Sequence, residues 1–114
     1  MLLNCDQQAV QQLVRSFAKK EIEPRASAYD QSEEFPWDNI KGLAGLGLMG
    51  MPIPEEYGGA GLDNLSYVLA VEEVSKACAA TGAIMSIHTS AGILPILAFG
   101  TETQKQKYVP ALAR

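Results

Sequence analysis

The sequence has few of the residues that build metal centres, disulfide frameworks or nucleic-acid surfaces. Its 114 residues include two cysteines, Cys5 and Cys78, and a single histidine, His88. The cysteines lie far apart and form no C-x-x-C motif, so we expect neither a disulfide framework nor a zinc site. Nine lysines and arginines against thirteen acidic residues give a net charge of -4. The scattered basic residues disfavour a nucleic-acid or anionic-membrane surface.

Targeting signals are also missing from the start of the sequence. The opening residues, MLLNCDQQ, show neither the basic-then-apolar pattern of a signal peptide nor the Arg-rich pattern of a transit peptide. A reducing compartment suits the two isolated thiols. We therefore expect a cytoplasmic location.

Charge is absent from Ala77 to Thr101, which raises the question of a membrane span. A spanning helix needs about 20 mostly apolar residues. This stretch contains a proline, three glycines and several polar side chains, among them His88. That polarity predicts a helix buried inside protein, and no membrane span.

Apolar residues recur at three- and four-residue steps along the first part of the chain, which predicts an amphipathic helix. Asp6 is a plausible N-cap, and the apolar face extends from Val10 to Ile22. Pro24 is expected to kink or end the helix because it lacks an N–H donor. A continuation to Tyr29 stays open.

A second helix is predicted from Pro36, which suits a first helical turn. Gly45 and Gly47 are expected to end it. The segment Leu48 to Pro54 mixes small and apolar residues with two prolines, so we predict an extended, packed segment.

Three more helices follow in the sequence. Asp63 is the predicted N-cap of a third helix that reaches about Cys78, and a fourth is expected near Ala80 to Phe99. Thr101 and Gln104 fit a capping box that begins a fifth. No stretch shows strand periodicity, so the predicted fold class is all-α: one domain, residues 1–114, with about five helices.

The glycine-rich stretch PEEYGGAGL, residues 54–62, resembles a phosphate-binding loop only superficially. No strand precedes it, the G-x-x-x-x-G-K-[ST] spacing is absent, and Glu55, Glu56 and Asp63 would repel a phosphate. We predict a tight turn that uses glycine at positive φ. The adjacent acids Glu72 and Glu73 point in different directions on a helix, so we expect them on a solvated face.

His88 has two open interpretations. No metal-ligating residue stands three or four positions away, so it is either a hydrogen-bonded core histidine or a pocket residue. Ile84, Ile87, His88 and Ala91 share a helix face by spacing, and the small Ala91 leaves room beside it. A mostly apolar groove with one polar group is typical of a site for an acyl chain. No complete catalytic or metal-binding set is present.

Several stretches together resemble the N-terminal domain of acyl-CoA dehydrogenases. They are residues 54–62, the run EEVS at 72–75, GILPIL at 92–97 with the following Phe99-Gly100, and TQKQKYVP at 103–110. The opening helix, with Phe17-Ala18 and Ile22-Glu23-Pro24, matches as well. The resemblance covers nearly the whole chain, and SIHTSAG, residues 86–92, suggests the short-chain, butyryl-CoA-like branch.

The resemblance implies an FAD-dependent oxidoreductase that removes hydrogens from the α and β carbons of acyl-CoA thioesters, as in fatty acid β-oxidation. It places the catalytic glutamate and most FAD contacts in a middle β domain and a C-terminal helical domain, both beyond Arg114. By the resemblance, one wall of the acyl pocket is formed by Ile84, Ile87, His88 and Ala91. It also implies an electron-transfer flavoprotein as redox partner and a homo-oligomer.

Two other functions stay open at this point. A helical protein-interaction module would use the same apolar face to bind a partner, without catalysis. An oxidase-type relative would keep the fold and change the electron acceptor. By the resemblance, residues 1–114 are not catalytic alone.

Overall fold

The computed structural model describes residues 2–114, and every regular element in that range is helical. Seven α-helices occur in chain order: α1 (Cys5–Phe17), α2 (Glu23–Ser32), α3 (Trp37–Gly45), α4 (Asn64–Ala77), α5 (Ala79–Ile87), α6 (Leu94–Phe99) and α7 (Glu102–Ala113). The π-helical segments Ala18–Ile22 and His88–Ile93 join α1 to α2 and α5 to α6. The described residues therefore form five continuous helical rods, and the predicted all-α fold of about five helices is confirmed.

Polar caps begin three of the rods. Asp63 accepts a hydrogen bond from the Ser66 N–H at 2.9 Å, and Thr101 forms the predicted capping box with Gln104. The prediction of Asp6 as the first N-cap is wrong. Asn4 fills that position, because Gln7 three residues later completes a capping box with it, and Asp6 lies in the first turn of α1.

Proline does not end either interrupted rod, because a π turn precedes it. The Glu23 N–H donates to Ala18, and the Leu94 N–H donates to Thr89, each five residues back. The next residue in each case is a proline, whose ring crowds the turn before it and whose nitrogen cannot donate. The wider π turn relieves this conflict, so the first rod continues through Pro24 to Ser32.

The segment after α3 is tightly turned, so the predicted extended conformation of Leu48 to Pro54 is wrong. Gly47 reverses the chain at φ 75°, and a 3₁₀ turn follows at Leu48–Gly50. Met51 and Ile53 are fully buried, so the predicted packing of this segment is correct. A second 3₁₀ turn, Glu55–Tyr57, leads into the glycine loop.

Two apolar clusters hold the rods together. The larger one lies between the first rod, α3, α4 and α5, and contains the fully buried Val14, Ile22, Leu43, Val74 and Met85. The smaller one lies under α7 and consists of Ile53, Tyr57, Ile93, Val109 and Ala113. Together they place the rod Ala79–Phe99 between α4 on one side and α7 on the other.

The rod Ala79–Phe99 is long and apolar enough to cross a membrane by length and composition alone. We expected this helix to be buried inside the protein. Within residues 2–114 that expectation is wrong, since only 22% of its most apolar 18-residue window is buried. Much of an uncharged helix is thus left uncovered by the described domain.

Candidate functional site

A groove of about 300 Å³ runs along one side of α5. Ile84 on α5 and His88, the first residue of the π segment, lie one helical turn apart and line its base. Trp37 on α3 and Leu112 on α7 stand on its walls, with Phe35 at its edge. The rings of Phe35 and Trp37 lie 4.6 Å apart, and Trp37 is 60% exposed. The groove is therefore mainly apolar and open to solvent on its aromatic side.

His88 is half-buried and hydrogen-bonded. Its Nε2 lies 2.6 Å from the carbonyl oxygen of Leu112, and its ring lines the groove. The two interpretations of His88 left open by the sequence, a hydrogen-bonded core residue and a pocket residue, both describe part of this arrangement.

Ile87 and Ala91 lie on the other, outward side of the same rod. Ile87 is 61% exposed, and Ala91 is exposed as well. The structure thus divides the four predicted pocket residues into two pairs: Ile84 and His88 face the groove, while Ile87 and Ala91 face solvent. Ile87 and His88 are adjacent and therefore point about 100° apart on a helix, so the ridge has two sides.

A second hollow, of about 530 Å³, opens beyond the ridge at the end of the same rod. Pro95, Ile96 and Phe99 line it from the rod, and Gln104 and Tyr108 line it from α7. Phe99 is 91% exposed. Exposed large apolar side chains therefore recur along the rod, at Ile87, Leu94 and Phe99.

Glu73 does not lie on the solvated face that the sequence suggested; only Glu72 does. The Glu73 side chain is 4% exposed and meets Arg15, which donates from Nη2 to Oε1 at 2.9 Å and from Nε to Oε2 at 3.3 Å. The hydrogen bond from Arg15 holds the pKa of Glu73 below its ordinary value, against the opposing effect of burial. A polar cleft of about 440 Å³ adjoins this pair.

The glycine loop is a turn, as predicted, with Gly58 at φ 87° and Gly61 at φ 65°. Its amide groups already have partners: the N–H groups of Gly58, Gly59 and Gly61 donate to carbonyls of residues 53–55. A phosphate loop needs free amides, and Glu55 and Glu56 flank this one. The loop does not fit the pyrophosphate of a dinucleotide such as FAD.

Residues 2–114 bring no three His, Cys, Asp or Glu side chains together as potential ligands. Both cysteines are free thiols, Cys5 exposed and Cys78 half-buried.

Trp37 and Leu112 were not identified from the sequence as neighbours of the ridge. Trp37 on α3 is separated from His88 in the sequence by α4 and α5. Leu112 contributes a backbone carbonyl, which carries no sequence signal. The single tryptophan of the chain, in the first turn of a helix and largely exposed, was the one feature that could have drawn attention.

A charge-free helix with an uncovered apolar side lies in a five-rod, all-α domain, and this fold agrees with the resemblance drawn from the sequence. The family model described as "Acyl-CoA dehydrogenase, N-terminal domain" matches residues 4–114. The chain belongs to the acyl-CoA dehydrogenase family, of which it forms the N-terminal domain.

Individual relatives agree with this assignment. The chain is 52% identical over 108 residues to an acyl-CoA dehydrogenase of Bacillus subtilis, covering 95% of this chain and 28% of that protein. It is 50% identical over 112 residues to the short-chain specific acyl-CoA dehydrogenase of Clostridium acetobutylicum, covering 98% and 30%. The chain thus spans less than a third of the length of these relatives.

Solved structures share the fold. Butyryl-CoA dehydrogenase from Megasphaera elsdenii superposes with a TM-score of 0.90 at 35% identity, over 99% of this chain and 30% of that one. A chain from the structure described as the electron transferring flavoprotein of Acidaminococcus fermentans superposes with a TM-score of 0.94 at 42% identity, also over 99% and 30%.

Proposed function

We propose that these residues serve as the N-terminal domain of an FAD-dependent acyl-CoA dehydrogenase that α,β-dehydrogenates acyl-CoA thioesters. In this proposal the rod Ala79–Phe99 forms one wall of the acyl pocket. The observation that carries it is the uncharged rod itself, of whose most apolar window only 22% is buried within the described residues.

The chemistry of the ridge suits a fatty acyl chain. Burying apolar surface is favourable by roughly 25 cal/mol per Å², and Ile87 offers an exposed side chain for such contact. Ala91 adds little bulk beside it. A ridge is one wall only, so the remaining walls of the pocket belong, in this proposal, to the rest of the enzyme.

In this proposal FAD and the redox partner bind to parts of the enzyme outside residues 2–114. The glycine loop does not fit the FAD pyrophosphate, so no FAD contact is assigned to this chain. Electron-transfer flavoprotein as acceptor is supported by the similarity to a chain in the Acidaminococcus fermentans structure. A short-chain substrate is supported by the Clostridium and Megasphaera relatives. Homo-oligomer formation and a cytoplasmic location complete the proposal.

The direct test is the activity of the protein encoded by the complete reading frame. We expect the purified protein to bind flavin and to reduce an artificial acceptor with butyryl-CoA faster than with octanoyl-CoA. Reduction of oxygen in place of the acceptor would indicate the oxidase-type relative. Absence of flavin and of turnover with every acyl-CoA would overturn the proposal and favour the interaction module.

Ala91→Leu tests the ridge as a wall. The added side chain is expected to fill the distal part of the pocket, so the ratio of kcat/KM for butyryl-CoA to that for octanoyl-CoA rises by at least about tenfold, because one methylene group in an apolar pocket already changes such a ratio by roughly tenfold or more and leucine adds three carbons. The measurement is kcat/KM across a series of acyl-CoA lengths.

Ala28→Leu is the matched control for this variant, because Ala28 is an exposed alanine on α2, away from the ridge. We expect it to leave the chain-length profile unchanged. An identical profile for wild type and Ala91→Leu would remove Ala91 from the acyl wall.

A further inference from the structure

The contact between His88 and Leu112 identifies which ring nitrogen of the imidazole donates. Nε2 lies 2.6 Å from the carbonyl oxygen of Leu112, and a carbonyl only accepts hydrogen bonds. Nε2 therefore carries the proton and donates, which leaves Nδ1 unprotonated in the neutral ring. Leu112 lies in the last turn of α7, where carbonyls have no partner within the helix, so the bond satisfies an otherwise unpaired acceptor.

Thr89 makes a second contact of the same kind. Its Oγ1 donates to the carbonyl oxygen of Met49 at 3.0 Å, and Thr89 is fully buried. Met49 belongs to the 3₁₀ turn Leu48–Gly50. Two consecutive side chains thus bind backbone carbonyls of two different elements, α7 and the 3₁₀ turn.

Both contacts fall at the first turn of the π segment His88–Ile93. Ile87 stands immediately before this point and Ala91 one turn after it. The His88 contact therefore holds the rod against α7 next to the outward ridge, in addition to the packing of the buried Ile93 in the smaller cluster. A shift of the rod at His88 would move both ridge residues together.

We infer that His88 is a positioning residue for the acyl wall: by donating from Nε2 to Leu112 it sets how far Ile87 and Ala91 project toward the substrate. This inference rests on the proposed function, and it assigns His88 a role without direct substrate contact. The competing role is direct contact of the acyl chain or its thioester through the ring, including Nδ1.

Two substitutions separate these roles in the complete enzyme. The amide nitrogen of glutamine can occupy nearly the place of imidazole Nε2, whereas the amide of asparagine reaches only to about Nδ1. In His88→Asn the Leu112 carbonyl loses its donor, and we expect kcat/KM for the preferred acyl-CoA to fall about two- to tenfold, mainly through KM, the scale of one lost hydrogen bond. His88→Gln is expected to recover most of that loss.

Three outcomes would overturn the inference. They are an asparagine variant that performs better than the glutamine variant, equal losses in both variants, and no loss in either. The first would indicate a contact made through Nδ1.

A spectroscopic measurement tests the same geometry without turnover. In a ¹⁵N-histidine-labelled sample of the complete protein, the ring-nitrogen signals of His88 are identified as those that disappear in His88→Gln. We expect the neutral ring to show the Nε2–H tautomer. The Nδ1–H tautomer would overturn the positioning role. An inactive complete protein whose His88 shows the Nε2–H tautomer would instead contradict the proposed function.

Discussion

Glu73 has its carboxylate at the contact between α1 and α4, where Arg15 donates to both of its oxygens. Lys76 adds a third donor, with Nζ at 3.4 Å from Oε1. These donors hold the pKa of Glu73 below its ordinary value near 4.5. A carboxyl group whose pKa is lowered on folding stabilises the fold above its unfolded pKa and loses that contribution as the pH falls through the folded pKa.

Glu73→Gln tests this contribution at the scale of one residue. At pH 7 we expect the free energy of unfolding to fall by about 1–2 kcal/mol, since hydrogen bonds to a charged group are replaced by weaker ones. The difference from wild type should shrink as the pH falls below about 4.5 and through the lowered pKa of folded Glu73, where the wild-type carboxyl group also becomes protonated. Urea unfolding of both proteins at pH 7 and in acid below pH 4.5 measures this difference in the free energy of unfolding.

Glu72→Gln provides the control on the same helix. Glu72 is 56% exposed and lies 3.7 Å from Lys76, and exposed ion pairs contribute at most about 1 kcal/mol. Asp63 and Glu102 also have lowered pKa values, but they are common to all variants and cancel. A deficit in Glu73→Gln that is as large in acid as at pH 7 would contradict the assignment.

Glu72 is exposed and Glu73 is buried, and this difference shows what the sequence could predict about single residues. Helical spacing established that the two side chains point in different directions. It did not decide which one is buried, because the partner, Arg15, stands 58 positions away in the chain. Caps such as Asp63 and Thr101 were predictable because their partners lie three residues on.

At the scale of elements, the five rods followed from helical periodicity, but their irregular turns did not. A π turn adds one residue to a rod without ending it. Periodicity predicted the helix through Pro95, whereas a continuation of the first helix past Pro24 stayed open in the sequence. The interpretation of Pro24 as a kink or end used the ordinary helical bond and omitted the five-residue bond from Glu23 to Ala18. The 3₁₀ turn at Leu48–Gly50 depends on tertiary packing, which apolar composition alone does not specify.

The close contact of α4 and α5 predicts the outcome of Gly82→Ala. A Cβ at Gly82 would stand 2.9 Å from the Ser75 Cβ and 3.0 Å from the Ser75 Cα, so the two helices must separate. Overpacking costs about 1–3 kcal/mol, whereas alanine gains about 1 kcal/mol over glycine in helix propensity. We expect a net loss of about 1 kcal/mol in the free energy of unfolding, measured by urea denaturation.

Gly45→Ala is the matched control for that substitution. Gly45 is exposed in the last turn of α3, and a Cβ there would meet nothing within 4 Å. The propensity gain of about 0.5–1 kcal/mol is then expected without a packing cost. If both alanine substitutions stabilise the protein, α4 and α5 can separate at little energetic cost, and the predicted packing penalty at Gly82 is wrong.

At the scale of the whole molecule, the candidate site was predictable in part. The spacing of Ile84, Ile87, His88 and Ala91 selected the helix and its apolar ridge. Whether each residue faces the groove or solvent depends on Trp37 from α3 and Leu112 from α7, which folding brings to His88. Local periodicity carries no information about which distant helices cover a face.

The uncovered apolar side of the rod Ala79–Phe99 predicts how the 114-residue chain behaves in solution. Ile87, Leu94 and Phe99 are 61%, 38% and 91% exposed, and Tyr108 on α7 is 46% exposed. Large exposed apolar patches promote association. We expect concentration-dependent dimers or larger species in sedimentation velocity, together with a modest melting temperature.

Replacing Ile87, Leu94 and Phe99 by serine should shift that equilibrium to monomer, because the substitutions remove apolar surface that association would bury while leaving both buried clusters intact. Leu13→Ser is the control: Leu13 is 50% exposed on α1, outside the rod, and its loss should leave the association constant nearly unchanged. Equal weakening by Leu13→Ser would place the association surface on α1. A monodisperse wild-type monomer with a high melting temperature would show that this side of the rod is stable in water without a partner.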